Sequence, residues 1–161
     1  MKRLLVVDDA LFMRKMICGV AADAGWEVVG EAGDGAEAVA LYERLHPDLV
    51  TMDLVMPVMG GEEATRRIMA ASPCPILIVT ASVGANFGRV YEALGAGGLD
   101  AVRTPTFGPD GRVQGGEAVL ARLEKLDRAR SGVRSQESGV RSQESGVRSQ
   151  GSEKQGLPPD S

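Results

Sequence analysis

Histidine occurs once in this 161-residue chain, cysteine twice, and aromatic residues make up only 4% of it. The one histidine, His46, stands directly before Pro47, where a helix has to stop, so it reads as a terminator rather than a catalytic base. No G-x-S-x-G nucleophile elbow occurs, which leaves an esterase without its nucleophile among these residues. Cys18 and Cys74 lie in apolar surroundings without metal-ligand spacing and read as reduced core thiols. Positive charge is not in excess: 18 basic against 22 acidic residues give a net charge of -4, which argues against nucleic acid as the main partner. No apolar run is long enough to span a bilayer, and Leu4 to Val7 is too short for a signal peptide. A cytoplasmic protein with no membrane partner is expected.

Leucine, valine and alanine dominate instead, as in helices packed on a parallel sheet. Leu49 to Met52 is an apolar run that ends in Asp53, with Pro57 following. Such a run reads as a strand buried on both faces. An acid is tolerated there only at the strand's exit. Leu4 to Val7 is a second such strand, ending in Asp8 and Asp9. Further strands are predicted over Trp26 to Val29, Pro75 to Val79 (closed by Thr80) and Leu99 to Val102. Helices are predicted over Ala10 to Ala24, Ala36 to Leu45, Glu62 to Ala71, near Phe87 to Leu94, and over Glu117 to Leu126. Five alternations of strand and helix imply an α/β fold, a five-stranded parallel sheet with helices on both faces. The flavodoxin-like order 2-1-3-4-5 is the natural candidate, and it sets strands 1, 3 and 4 side by side.

Beyond Leu126 the composition changes. Ser-Gly-Val-Arg-Ser-Gln-Glu appears twice from Ser131 and a third time ending in Gly151. Each unit has one valine and no second apolar position, so the seven-residue period does not make a coiled coil. Such a segment buries too little apolar surface to offset its ordering entropy. The expected division is therefore a domain over residues 1–127 and a low-complexity tail or linker over 128–161.

In that sheet order Asp8, Asp9, Asp53 and Thr80 converge at one edge, where open parallel sheets bind ligands. Three carboxylates so placed repel one another, and a divalent cation resolves the repulsion. Oxygen-only ligands suit Mg2+, which keeps several waters and shares phosphates. One carboxylate could then attack a phosphoryl group. The Thr80 hydroxyl and the Ala81 backbone N–H would serve as donors at the same edge.

These residues carry a resemblance. Leu4-Leu5-Val6-Val7-Asp8-Asp9, the stretch from Pro47 through Asp53 to Gly61, and Val79-Thr80-Ala81 resemble a response-regulator receiver domain over about residues 1 to 127. The resemblance implies Asp53 as phospho-acceptor, Asp8 and Asp9 as Mg2+ ligands, the Val55 carbonyl as a further ligand, and Thr80 as the switch hydroxyl. It implies a chemotaxis-type histidine kinase upstream and a downstream effector domain or protein. The segment Gly95 to Val102 followed by Thr104-Pro105 most resembles the receiver half of chemotaxis-type protein-glutamate methylesterases. On that reading the chain is a signalling domain, not an enzyme. Two positions depart from the pattern: Thr104 stands where receivers carry lysine, and Ala101 where they carry an aromatic. Alternatives are a pseudo-receiver that works by binding alone, or the regulatory half of a truncated methylesterase. Gly33-Asp34-Gly35-Ala36-Glu37-Ala38 also matches a dinucleotide fingerprint, but it follows the second strand and sets two carboxylates beside a pyrophosphate.

Overall fold

The computed structural model of the chain describes residues 2–81 and 84–130. Strands β1 (Arg3–Val7), β2 (Glu27–Ala32), β3 (Leu49–Met52), β4 (Ile76–Thr80) and β5 (Asp100–Arg103) form one parallel sheet in the order β2-β1-β3-β4-β5. Helices α1 (Leu11–Asp23), α2 (Gly35–Leu45), α3 (Gly61–Ala71) and α4 (Phe87–Gly95) connect them, and a last helix, α5, covers residues 116–130. A first compact unit runs over Met1–Asp127. The three repeats of residues 131–151 lie outside the described residues.

The strands alternate their side chains between two cores, as the period of two requires. Leu5, Val7, Val50, Met52, Ile76 and Ile78 pack on one face against Ala38 and Tyr42 of α2, Ala64 and Ile68 of α3, and Val90 and Ala93 of α4. Leu4, Val6, Leu49, Leu77 and Val79 pack on the other against Ile17 and Ala21 of α1 and Val119, Leu123 and Leu126 of α5. Each buried leucine or isoleucine contributes about 1.5–3 kcal/mol, so both faces must be covered for the sheet to persist. The Tyr42 hydroxyl donates to the Ser72 carbonyl at 2.5 Å, which joins α2 to the end of α3.

His46 takes the role expected of it: it caps α2 in the left-handed region (φ 47°), and its N–H donates to the Tyr42 carbonyl. The two cysteines are not bonded to each other; Cys18 is half-buried in α1 and Cys74 buried after α3. No helix among the described residues is long and apolar enough to cross a membrane.

Two features differ from the expectation. The second strand runs Glu27–Ala32 rather than Trp26 to Val29. Gly30 and Glu31 interrupt its apolar run, as an edge strand permits, and Trp26 is buried just before it. A short antiparallel hairpin, β6 (Thr106–Phe107) and β7 (Val113–Gln114), also follows β5. Its turn contains Asp110-Gly111, with Gly111 at φ +79°, a conformation glycine adopts without strain. Phe107 packs on Phe12 of α1 with ring centroids 5.1 Å apart.

Candidate functional site

The order β2-β1-β3 brings the ends of β1 and β3 together: the Asp53 N–H donates to the Val7 carbonyl at 3.0 Å, and Val7 is paired with Met52. Asp8, Asp9 and Asp53 each turn a ligand oxygen to one place, all within 4.8 Å of one another. Asp8 is buried, Asp53 half-buried and Asp9 exposed, so the cluster opens to solvent on one side. The backbone holds two of the carboxylates. The Ala10 N–H donates to Asp8 Oδ1 at 2.9 Å, and the Leu54 N–H to Asp53 Oδ1 at 2.8 Å.

Burial, followed by the neighbouring charge of Asp8, pushes the Asp53 carboxyl up to about 7. Burial also raises Asp8, with Asp9 adding to the shift and the Ala10 N–H opposing it. No lysine or arginine among the described residues forms an ion pair with any of the three. The charge of Arg14 is felt by Asp8, but its hydrogen bonds go to other groups than the three carboxylates. Its Nη1 donates to the Asp8 carbonyl at 2.8 Å and its Nε to Glu31 at 3.0 Å, where Lys15 also binds. Hydrogen bonds from Lys15 and Arg14 in turn hold the Glu31 carboxyl below its ordinary range. The donor set is therefore three hard oxygens whose mutual repulsion the charge of Arg14 offsets only in part at Asp8, which fits a small divalent cation.

α3 starts against the acid's own backbone. The Gly61 N–H donates to the Leu54 carbonyl at 2.9 Å, and a Cβ at Gly61 would collide with the Asp53 carbonyl. Only glycine lets the helix approach this closely. Val55 follows in the loop with its side chain half exposed. The chain then makes a tight turn at Val58 (φ 68°), closed by the Met59 N–H on the Pro57 carbonyl at 2.7 Å. Met59 in turn accepts from the Gly35 N–H at 3.0 Å. At the start of α2, Asp34 accepts from the Glu37 N–H and Glu37 from the Gly33 N–H. The amides a dinucleotide phosphate would need are thus taken, and the glycine fingerprint serves packing.

Thr80 ends β4 beside β3, with its side chain 1% exposed. Its hydroxyl oxygen accepts from Asn86 Nδ2 at 2.9 Å. Ala81 follows it, exposed. Thr104 is buried (7% exposed), and its N–H donates to the Thr80 carbonyl at 2.8 Å. Arg103 pairs with Thr80 in register but is exposed, so strand alternation keeps it apart from the buried side of Thr104. Ala101 packs only partly against the core. Asn86 and Arg14 were not among the residues singled out from sequence. An amide six positions after Thr80, at the head of a helix, was the one available signal.

The family model for the response regulator receiver domain matches residues 4–106. A protein-glutamate methylesterase/protein-glutamine glutaminase of Cupriavidus pinatubonensis is 50% identical over 107 residues, 66% of this chain and 31% of that protein. The chain thus spans about a third of the length of such curated relatives. Among solved structures, the response regulator domain of Thermotoga maritima CheB superposes with a TM-score of 0.71 at 32% identity, covering 79% of this chain and 96% of that one. A chain of the CheX–CheY–BeF3–Mg2+ complex from Borrelia burgdorferi gives 0.67 at 25% identity, with 78% and 88% covered. The chain belongs to the response regulator receiver domain family.

Proposed function

We propose that Asp53 accepts a phosphoryl group from a chemotaxis-type histidine kinase or a small phosphodonor, at a Mg2+ site made by Asp8, Asp9, Asp53 and the Val55 carbonyl. The observation that carries this reading is the set of three convergent carboxylates, none of them in an ion pair among the described residues. The relative solved with BeF3 and Mg2+ supports the same chemistry. Leu54 N–H holds one Asp53 oxygen and leaves the other as nucleophile. That oxygen forms a bond to phosphorus as the bond to the donor's histidine nitrogen, or to acetate, breaks. A bound Mg2+ supplies charge to the phosphoryl oxygens and holds Asp53 ionised. The Thr80 hydroxyl and the Ala81 N–H add hydrogen-bond donors there.

Residues 1–127 are the receiver in this reading, and 128–161 a linker toward an effector domain or protein. The half-identity to methylesterases favours a place in chemotaxis-type signalling, with the chain as the regulatory part. Incubation with acetyl phosphate and Mg2+ is expected to add one phosphoryl group to the intact mass, and Asp53→Asn to abolish the addition. An unchanged wild-type mass at high donor concentration would favour a module that works by binding alone. Labelling that survives Asp53→Asn would move the acceptor elsewhere.

A further inference from the structure

Thr80 offers the acidic edge a single hydroxyl proton, and something has to decide where that proton points. A hydroxyl has one donor and two acceptor lone pairs. Asn86 Nδ2 donates to the Thr80 oxygen at 2.9 Å, so one lone pair is occupied and the proton is left for another acceptor. Thr80 is almost completely buried, so water does not compete freely for that proton.

A second observation shows that this bond is not incidental. Asn86 is the residue preceding the first turn of α4, where asparagine is among the best helix caps. Its side chain makes no capping hydrogen bond there, and its backbone (φ -105°, ψ 23°) departs from the extended cap conformation. The helix forgoes its cap, and the amide goes to Thr80 instead. Neither Ala101 nor Thr104 provides the aromatic or the ammonium the family pattern would place at this edge, and among the described residues Asn86 is the polar side chain bonded to the Thr80 hydroxyl.

We propose that Asn86 is a positioning residue for the Thr80 hydroxyl, holding its oxygen so that its proton is directed to a phosphoryl oxygen on Asp53. The role rests on the acceptor reading above. When Thr80 donates to the phosphoryl group, the bond it accepts from Asn86 is strengthened, because donating and accepting through one hydroxyl are cooperative. The first turn of α4 is thereby drawn toward the site through Asn86, and with it Phe87 and Tyr91, which stack on each other on the exposed face.

The test is beryllofluoride affinity in the presence of Mg2+, measured for the full chain with Asn86→Ala, Asn86→Asp, Thr80→Ala and the double variant Thr80→Ala/Asn86→Ala. Asn86→Ala is expected to weaken binding roughly three- to ten-fold, the worth of one hydrogen bond. Asn86→Asp, close in shape but able only to accept, turns the Thr80 proton toward itself and should weaken binding further. In the Thr80→Ala background the Asn86→Ala change should have no further effect. Equal or tighter binding by Asn86→Ala, or a loss of the same size without Thr80, overturns the positioning role alone. Failure of the wild-type chain both to bind beryllofluoride and to take up a phosphoryl group overturns the acceptor reading, and the positioning role with it. In metal-free protein the Asn86 side-chain amide resonances should shift in Thr80→Ala. Unshifted resonances would show that the bond does not form in solution.

Discussion

The Thr65 hydroxyl is fully buried within α3 and has no hydrogen-bond partner; Thr51 in β3 is in the same state. An orphaned buried hydroxyl carries a desolvation cost of about 1–3 kcal/mol that nothing returns. Valine has nearly the shape of threonine and a similar helix propensity. Thr65→Val is therefore expected to raise stability by about 1 kcal/mol, read as a higher urea midpoint at unchanged slope. A lower midpoint would mean that the hydroxyl has a partner in solution. Thr80 is the contrasting case on the neighbouring strand, equally buried but bonded to Asn86. A buried threonine is thus not in itself a sign of function; what it is bonded to decides.

Elements show how much of this was legible from residues alone. β1, β3 and β4 are legible because no charged residue interrupts their apolar runs (Thr51 alone is polar within them) and a polar group follows or closes each, so burial and exit are written in the same few residues. β2 extends past its predicted end at Val29, because Gly30 and Glu31 interrupt the apolar run on which the prediction rests. β6 and β7 are two residues each, too brief for any periodicity to predict them. The acidic cluster was legible because sheet order alone brings the strand ends together. The Asn86 bond was not, because it depends on how one loop folds back in space. The junction of β3 with α3 has a consequence of its own. Gly61→Ala would drive a methyl into the Asp53 carbonyl, and overpacking of this kind costs about 1–3 kcal/mol. The expected result is a lower thermal midpoint together with weaker Mg2+ binding, since the displaced backbone carries the Asp53 carboxylate. A change in neither would show that the helix can retreat without moving Asp53.

At the scale of the whole molecule, the cluster couples stability to pH. The folded protein holds the protons of Asp53 and Asp8 more tightly than the unfolded chain does. Their contribution to stability is complete below the ordinary carboxylate range; the Asp53 part is lost as pH rises through about 7, and the Asp8 part as pH rises through its own raised folded value. Glu31 acts in the opposite sense: its stabilising charge is present above the ordinary range and lost on acidification through its lowered folded value. Without Mg2+ the cluster should thus weaken the fold from pH 5 to pH 8. Added Mg2+ binds the ionised form and should raise the thermal midpoint more at pH 8 than at pH 5. Equal Mg2+ effects at both values would contradict a carboxylate site. The sheet order also has a bearing on the sequence of events during synthesis. Residues 3–52 contain β1, β2 and β3, three strands that lie side by side. The half-sheet carrying all three acids can therefore pair before β4 leaves the ribosome. β4 and β5 then add in turn along a single open edge, so the three carboxylates precede Thr80 and Asn86 in time as well as in the chain.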